Sequence, residues 1–303
     1  MLLDTPSLYF RAYFGVPESV TAPDGTPVNA VRGLLDFVAR LVTDRRPTRL
    51  VACDDADWRP AFRVAALPSY KAHRVLDPAD PAVEQVPDTL SPQVPVLWDV
   101  LDAVGLACVG VEGYEADDVI GTLATTADVP VDVVTGDRDL FQLVEDGRVR
   151  VLYTARGVGN HEIVNEAWVC ERYGIPGRAY ADFALLRGDP SDGLPGVPGI
   201  GEKSAAALIS RFGSLEGLLA ALDAGDPAIP RAQRTRLEAA RDYLAAAPPV
   251  VRVVRDLPVP AYDDRLPSEV RDPARLVELV DRWGLHSPMN RLLAALRIGV
   301  DVR

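Results

Sequence analysis

Short apolar runs alternate with longer amphipathic segments through the first half of the chain. Between the runs, apolar side chains recur with the spacing of a helix, most clearly over residues 30–41. Strands that alternate with helices favour a parallel sheet, so we predict an α/β fold with a mostly parallel central sheet flanked by helices. The runs typical of buried strands cover residues 2–3, 48–53, 106–109, 130–135 and 149–153.

The second half of the chain has helical spacing almost throughout. Asn165 is a suitable N-cap for a helix that ends at Gly174, and the following helix stops at Gly188. A loop rich in Gly, Pro and Asp then runs to Gly201. Beyond it we predict helices over residues 202–212, 215–222 and 235–246, and an amphipathic tail over residues 275–296.

The segment from about Val75 to Pro95 differs from both halves because it is rich in Pro and Asp. Such residues interrupt helices and strands and favour turns. We therefore predict a mobile surface loop with helical pieces.

Acidic residues follow the predicted strands at the point where each strand ends. Asp4 follows the first short run, and Asp54 follows the second. Asp137 and Asp139 come directly after residues 130–135. Because ligands bind at the carboxyl ends of the strands in a parallel sheet, we expect these side chains to converge at one edge.

Three further carboxylates open an apolar helix. On a helix, Glu115 and Asp118 share a face, with Asp117 beside them. An acidic first turn that complements the helix dipole explains these three residues on their own. A capping or turn role equally explains any single Asp. Acids at several strand ends are harder to explain by local structure, so we expect this helix to deliver its carboxylates to the same edge.

Asp189 and Asp192, in the loop of Gly and Pro, complete the set of candidate acids. So many anions in one pocket require cations or protons. Oxygen ligands select hard ions such as Mg²⁺ or Mn²⁺. Two such ions about 4 Å apart can activate a water and stabilise the leaving oxygen of a phosphodiester. No catalytic histidine is then needed, and His73, His161 and His286 lie in no motif suited to nucleophilic catalysis.

The net charge, the cysteines and the lengths of the apolar runs limit the binding partners and the cellular location that we expect. The net charge of −12 argues against general adhesion to nucleic acid or to anionic membranes, although a local basic surface is compatible with it. Cys53, Cys108 and Cys170 have neither zinc spacing nor the even number of a disulfide framework. No signal peptide or membrane-length apolar run is visible. We expect a monomer in the reducing cytoplasm.

The loop that ends in the helix after Gly201 is a separate signal. A Gly-rich loop that opens a helix presents backbone N–H groups to a phosphate. Gly196 and Gly201 have the separation of a Walker loop, but Glu202 stands where that loop needs Lys. A plain tight connection between two helices is the alternative explanation.

Several motifs in order along the chain together resemble the 5′-nuclease domain of bacterial DNA polymerase I and its stand-alone relatives, the flap endonuclease family. The resemblance covers essentially the whole chain, and the combined motifs are far more specific than any one of them. The matching stretches are 3–4, 62–63, 70–74, 113–118, 135–140, 188–203 and 251–258.

The resemblance implies an architecture in two parts. Residues 1–175 would form a PIN-like metal-dependent nuclease core, with a helical arch over about 70–95 through which a free 5′ single strand passes. Residues 176–303 would form a helical region that binds duplex DNA. This region would contain a helix-three-turn-helix motif at about 180–220, often with a K⁺ ion held by loop carbonyls, here at Gly196–Gly201.

The resemblance also assigns roles to the acids. Asp4, Asp54, Glu115 and Asp117 would hold or orient the first divalent ion. The acids that would serve a second ion are Asp137, Asp139, Asp192 and Asp189, with Asp118 alongside.

The basic residues after the second strand would act on the phosphodiester. Because bound metal ions leave other phosphate oxygens uncompensated, we expect cations there from Arg63, Lys71 and Arg74. Lys71 is the main candidate by the family match, and Tyr70 would stack on a splayed base. A solvated polar helix with Tyr70 half-buried is the alternative.

In the second part, the loop and the helix that follows it would grip the duplex backbone. Gly196, Gly199 and Gly201 belong to that loop. Lys203 and Arg211 would meet phosphates, which position the duplex without reading its sequence.

Two departures from the family pattern concern neighbours of the acids. The first helix of the family usually opens Asp-Gly, whereas Asp4 is followed here by Thr5 and Pro6. The loop usually reads Ser-Asp-Asn, and here Gly193 replaces the Asn. Neither departure removes a carboxylate.

The function that the resemblance implies is that of a Mg²⁺- or Mn²⁺-dependent 5′-3′ exonuclease and flap endonuclease in replication and repair. Its partners would be duplex DNA with a 5′ flap, nick or end, and possible RNA–DNA hybrids, but no membrane. A phosphohydrolase with an aspartyl nucleophile would need Asp where Pro6 stands. An RNA-cutting nuclease of this core would lack the duplex-gripping loop. The remaining alternative, a DNA-binding protein of the same fold without nuclease activity, should have lost acids that are present here.

Overall fold

The computed structural model describes residues 1–77 and 79–299. Its strands are β1 Leu2–Asp4, β2 Val51–Cys53, β3 Val75–Asp77, β4 Asp80–Glu84, β5 Ala107–Val109, β6 Val131–Thr135, β7 Val149–Tyr153 and β8 Glu162–Val164. Its α-helices in the first half are α1 Thr5–Gly15, α2 Asn29–Arg45, α3 Ala61–Ala66, α4 Gln93–Val104, α5 Ala116–Thr126 and α6 Glu166–Tyr173. Those that follow are α7 Tyr180–Arg187, α8 Glu202–Phe212, α9 Leu215–Asp223, α10 Arg231–Ala239, α11 Arg241–Ala246, α12 Pro248–Val251, α13 Pro273–Trp283 and α14 His286–Leu296.

Six strands form the central sheet in the order β5-β2-β1-β6-β7-β8. All neighbours are parallel except β7 and β8, which form an antiparallel edge. Asp4 pairs in register with Cys53, and Leu3 pairs with Val134. The carboxyl ends of β1, β2 and β6 therefore lie side by side, and the prediction of a mostly parallel sheet is confirmed.

The sheet is buried on both faces because successive strand residues point to opposite sides. Leu2 belongs to the hydrophobic core that includes Ile120 of α5. Leu3 belongs to the other core, together with Leu34 of α2 and Leu292 of α14. This double cover explains why the strands are short continuous apolar runs rather than alternating ones.

The second half is helical, as predicted, but one of the expected helices is divided. The single helix expected over residues 235–246 is divided into α10 and α11, which meet at Ala240. The loop between α7 and α8 folds back tightly on the end of α7. Gly196 has φ +65°, and a Cβ there would lie 2.6 Å from the carbonyl oxygen of Arg187, so this position requires glycine.

The prediction of a helical arch over residues 70–95 is wrong about its secondary structure. The described residues of this segment form a 3₁₀ turn at Ala72–Arg74, an antiparallel hairpin of β3 and β4, and further turns before α4. Pro81 lies within the hairpin, and proline lacks the N–H that a helix interior needs. Pro78 lies outside the described residues.

No single helix in residues 1–77 and 79–299 is long and apolar enough to cross a membrane. Helices α8 and α9 meet the criterion only as a pair, bent by 81° at their junction.

Candidate active site

Asp4, the last residue of β1, links this strand to its neighbour in the sheet, β6. One carboxylate oxygen of Asp4 accepts the backbone N–H of Ser7 at 3.1 Å and so caps α1. The other accepts the hydroxyl of Thr135, the last residue of β6, at 2.5 Å. Thr135 Oγ1 in turn accepts the backbone N–H of Asp137 at 2.8 Å. Burial raises the pKa of Asp4 to about 6.

A cleft of about 720 Å³ opens at this edge of the sheet. Five of the nine predicted acids line it, so the expected convergence of distant carboxylates holds for these five, whereas Asp139 and Asp192 are not in its wall. Glu84, from the hairpin, also lines the cleft and was not among the candidate residues. The predicted acids in its wall are Asp4, Glu115, Asp117, Asp137 and Asp189.

Mutual repulsion shows how the carboxylates are grouped. Burial, followed by the neighbouring carboxylates of Asp4 and Asp137, raises the pKa of Asp117 well above its ordinary value. Burial and then the carboxylates of Asp137, Asp192 and Asp189 raise the pKa of Asp139 in the same way. Asp137 therefore lies between two groups of acids, one beside Asp4 and the other beside the loop after α7.

The chemistry of these donors fits hard divalent cations. The cleft offers carboxylate oxygens, the ligands that Mg²⁺ and Mn²⁺ prefer, and like charges held this close favour binding of a cation. Among the described residues, no three His, Cys, Asp or Glu side chains are already drawn together as the ligands of one ion. The acids are thus gathered in one cleft without being closed around a point.

Asp55, rather than the predicted Asp54, faces the cleft from the end of β2. Its Oδ1 accepts the backbone N–H of Ala116, at the start of α5, at 2.7 Å. Burial and the carboxylate of Glu115 raise the pKa of Asp55 to about 8. Asp54 instead lies against Gly110, beyond the end of β5. Adjacent residues of extended chain point to opposite sides, so the acidic doublet was a signal that either position could face the cleft.

Asp118 is not in the cleft, contrary to the expectation that it would stand beside the metal ions. It is fully buried, and both of its oxygens accept hydrogen bonds from the guanidinium of Arg63, at 2.9 and 2.7 Å. Its Oδ1 also accepts the backbone N–H of Val254 at 2.8 Å. Successive helix residues diverge by about 100°, which turns Asp118 away from the wall that Asp117 lines.

Arg63 and Tyr70 are structural supports rather than groups that reach the substrate. Arg63 is 2% exposed and pairs with Glu115 as well as Asp118, so it is not available to a phosphate. Tyr70 is 3% exposed, and its hydroxyl donates to Glu115 at 2.6 Å. Its ring is buried, with the guanidinium carbon of Arg63 5.9 Å and the Nζ of Lys71 5.2 Å from the ring centroid, and it cannot stack on a base. The alternative of a half-buried Tyr70 on a solvated helix is also wrong, because Tyr70 is almost completely buried.

Lys71 reaches the cleft and is held from several sides. Its Nζ forms an ion pair with Glu115 and donates to the carbonyl of Trp58 at 3.2 Å. Burial disfavours the ammonium, but Glu115 and the other anionic groups around it outweigh burial and raise the pKa of Lys71 well above its ordinary value. Its φ of +47° is rare for a residue with a side chain, and such strain is common at functional sites.

Arg74 also lines the cleft. Its guanidinium lies 3.6 Å from a carboxylate oxygen of Asp192 and 3.9 Å from one of Glu84. It donates to the carbonyl of Ser191 at 3.1 Å. Arg74 therefore links the segment after α3 to the loop after α7, and its side chain is 37% exposed.

The loop after α7 runs from the acidic cleft to the start of α8. Asp189 contributes to the cleft wall. Gly199 has φ +80°, and its carbonyl accepts a 2.7 Å hydrogen bond from Arg236, a contact that sequence analysis missed. Gly201 is the N-cap residue of α8. The two predicted phosphate contacts, Lys203 and Arg211, are both exposed on α8.

The chain matches two protein-family models. Residues 1–174 match the model described as 5′-3′ exonuclease, N-terminal resolvase-like domain. Residues 175–274 match the model described as 5′-3′ exonuclease, C-terminal SAM fold.

Two curated relatives carry the same description over nearly their whole length. A 5′-3′ exonuclease of Streptomyces coelicolor is 64% identical over 299 residues, covering 98% of this chain and 99% of the relative. A 5′-3′ exonuclease of Mycobacterium tuberculosis is 53% identical over 308 residues, covering 98% and 97%. Among solved structures, the T5 5′-exonuclease with bound divalent zinc ions superposes with a TM-score of 0.62 at 18% identity, covering 98% of each chain. That last similarity concerns the fold.

Proposed function

Because the chain belongs to the 5′-3′ exonuclease family, we propose that its acidic cleft hydrolyses DNA phosphodiesters near 5′ ends. It would act as a 5′-3′ exonuclease and as a flap endonuclease selective for DNA structure, in replication and repair. The observation that carries the proposal is the convergence of carboxylates from β1, β2, α5, the end of β6 and the loop after α7 on one cleft.

The metal groups proposed here follow the arrangement of the acids. Asp4, Asp55, Glu115 and Asp117 would hold or orient one divalent ion, and Asp137, Asp139, Asp189 and Asp192 would serve another. Mg²⁺ or Mn²⁺ in such a site supplies Lewis-acid chemistry, which activates water and stabilises charge on the leaving oxygen.

The chain's own cations would position the phosphodiester. Glu115 holds the Nζ of Lys71 at the cleft wall, and the loop after α7 holds its backbone. From there Lys71 would stabilise the charge that develops on a phosphate oxygen in the transition state. Arg74, which is more exposed, would bind the phosphate of the neighbouring nucleotide.

The two parts of the chain would divide the work. Residues 1–175, with the segment about 70–95 over the cleft, would carry the chemistry. Residues 176–303 would bind the duplex, with the N–H groups at Gly199 and Gly201 next to a phosphate. Gly196, which was also predicted to meet a phosphate, is buried against the end of α7 and supports the loop instead. Lys203 and Arg211 would contact further phosphates without reading sequence.

A K⁺ ion at the loop 196–201 would have to share it with Arg236. The guanidinium of Arg236 already occupies the carbonyl of Gly199, so a K⁺ ion would use other carbonyls of the loop. If the loop binds K⁺, the protein should bind duplex DNA more tightly in KCl than in NaCl at equal ionic strength. Equal affinities in the two salts would rule it out.

One assay tests the function. The protein is incubated with 5′-flapped, nicked and gapped duplexes, and with a 5′ RNA segment on DNA, with and without Mg²⁺ or Mn²⁺. We expect metal-dependent products cut near the 5′ end, and cleavage of the RNA-bearing substrate would extend the function to primer removal. Binding without cleavage in either metal would favour the alternative of a DNA-binding protein.

We also expect the active species to be a monomer, which sedimentation would test. We expect a cytoplasmic location, which the free Cys53, Cys108 and Cys170 fit.

A further inference from the structure

A second cleft, of about 580 Å³, adjoins the acidic cleft. Arg138 and Tyr153 line both, so the two clefts share a wall. Arg138 lies between Asp137 and Asp139 in the chain, directly beside the proposed metal ligands. Nothing in the proposed hydrolysis uses the rest of this second cleft.

Aromatic rings form part of the wall of the second cleft. Trp168 of α6 is partly exposed, and its ring rests edge to face on Phe141, with 5.5 Å between centroids. Tyr153 packs on the same Phe141 at 5.1 Å. Because Phe141 is fully buried, it fixes both rings from behind while they line the cleft. A rigid aromatic surface open to solvent is a platform for stacking.

Three guanidinium groups also line the second cleft. Arg138, Arg156 and Arg172 all line the cleft, in a chain whose net charge is −12. Arg156 is 78% exposed, with a carboxylate oxygen of Glu162 at 3.5 Å. Arg172 is 59% exposed, and its ion pair partner, Glu202, lies outside the cleft. Glu162 and Glu171 also line the cleft, which leaves an excess of one positive charge.

We propose that this second cleft binds one unpaired nucleotide of the DNA substrate, with its base stacked on Trp168 and its phosphate held by Arg138. The inference rests on the proposed function. A base inside a duplex has both faces covered by its neighbours, whereas an unpaired base can enter a cleft and stack on a protein ring. The cleft has the volume of a small-ligand site, which suits a single nucleotide.

The shared wall sets the position of that nucleotide. Since Arg138 belongs to both clefts, the bound nucleotide lies next to the phosphodiester in the acidic cleft. The protein therefore binds a gapped or flapped junction, which has an unpaired nucleotide there, more tightly than a nick, which has none. The unpaired nucleotide comes either from the template strand of a gap or from the flap.

The experiment uses 2-aminopurine, a fluorescent base that is quenched when it stacks. The base is placed at each position next to the junction, in the template strand of a gapped duplex or in the flap of a flapped one. The complex is formed in EDTA, so that binding is read without cleavage. We expect strong quenching at one unpaired position, and the strand in which it occurs identifies the source of the nucleotide.

Matched variants test whether Trp168 causes the quenching. Trp168→Leu should abolish it and weaken binding of that junction roughly 5- to 100-fold, as for loss of one stacked base. Trp98→Leu, on α4 in the other core, should change neither. Should Trp168→Leu fail to fold, Arg172→Gln, on the exposed rim, should still reduce junction affinity relative to the nick.

Two results separate the inference from the function on which it rests. Quenching that persists in Trp168→Leu, or no quenching at any unpaired position while junctions bind, would overturn the second cleft alone. Failure of the wild-type protein to bind any junction DNA would overturn the proposed function itself.

Discussion

The backbone N–H of Lys71 donates a 3.0 Å hydrogen bond to the carbonyl oxygen of Asp192, 121 residues further along the chain. Beside it, the hydroxyl of Ser69 donates to the carbonyl of Gly193 at 2.8 Å. These bonds hold the strained backbone of Lys71 against the loop after α7. The position of a proposed catalytic cation thus depends on a loop that also carries candidate metal ligands.

Gly193→Ala should break this junction. Gly193 has φ +72°, and a Cβ there would overlap the carbonyl oxygen of Ser69. We expect Gly193→Ala to lose about 1–3 kcal/mol of unfolding free energy because of the strained conformation. The rate of cleavage should fall by more than this loss of stability explains, because Lys71 is displaced. Gly225→Ala is the control, since Gly225 has φ +69° with nothing within 4 Å. Equal losses of stability and activity in the two variants, by thermal melts and flap cleavage, would show that the contact with Ser69 does not matter.

Lys71→Ala should lower turnover more than affinity. If Lys71 stabilises charge only in the transition state, its removal costs roughly 100-fold or more in kcat. KM and the affinity for flapped DNA in EDTA should change little. Lys203→Ala, at the exposed start of α8, should do the reverse. A loss of affinity alone in Lys71→Ala would overturn the role given to Lys71.

Asp118→Asn should act on stability. Asp118 and Arg63 form a buried pair, and breaking one partner of such a pair costs about 3–5 kcal/mol. Asp36→Asn is the control, because Asp36 pairs with Arg291 on the surface, where the cost is about 0–1 kcal/mol. Denaturant titration measures both. If the Asp118→Asn protein is stable but binds metal more weakly, Asp118 takes part in metal binding after all.

Asp117→Asn should stabilise the metal-free protein. At pH 8 without divalent ions, Asp117 is held beside Asp4 and Asp137, and burial together with these carboxylates disfavours its charged form. The amide removes that repulsion, so we expect Tm in EDTA to rise, by about 1–2 °C for each kcal/mol relieved in a chain of 303 residues. Addition of Mg²⁺ should raise Tm less in the variant than in the wild type. Asp242→Asn, which makes the same change of net charge on exposed α11, should leave Tm in EDTA nearly unchanged.

The sheet and most of its acidic edge could be predicted from sequence because both depend on local pattern. A strand that ends in Asp places that side chain at the carboxyl edge whatever the rest of the fold does, and this holds for Asp4 and Asp137. The doublet Asp54-Asp55 marks the limit of such reasoning. One residue more or less in an extended segment reverses the direction of the side chain.

The errors at Arg63, Tyr70 and Asp118 have a different cause. Their burial depends on pairing across 45 to 55 residues of sequence, which no local pattern reveals. Basic and aromatic residues near an acidic site suggest contacts with the substrate. Here Glu115 and Asp118 bind Arg63, and Glu115 also accepts the hydroxyl of Tyr70, whereas the predicted cations Lys71 and Arg74 line the cleft wall.

The most direct test of the account is metal-dependent cleavage of a 5′-flapped duplex by Asp137→Asn. Asp137 stands between the two groups of acids, and its Oδ1 accepts the backbone N–H of Asp139 at 2.8 Å, a bond that the amide oxygen of Asn can keep. The account predicts a folded protein that binds the flapped duplex with wild-type affinity and does not cleave it in Mg²⁺ or Mn²⁺. Cleavage at the wild-type rate would contradict it.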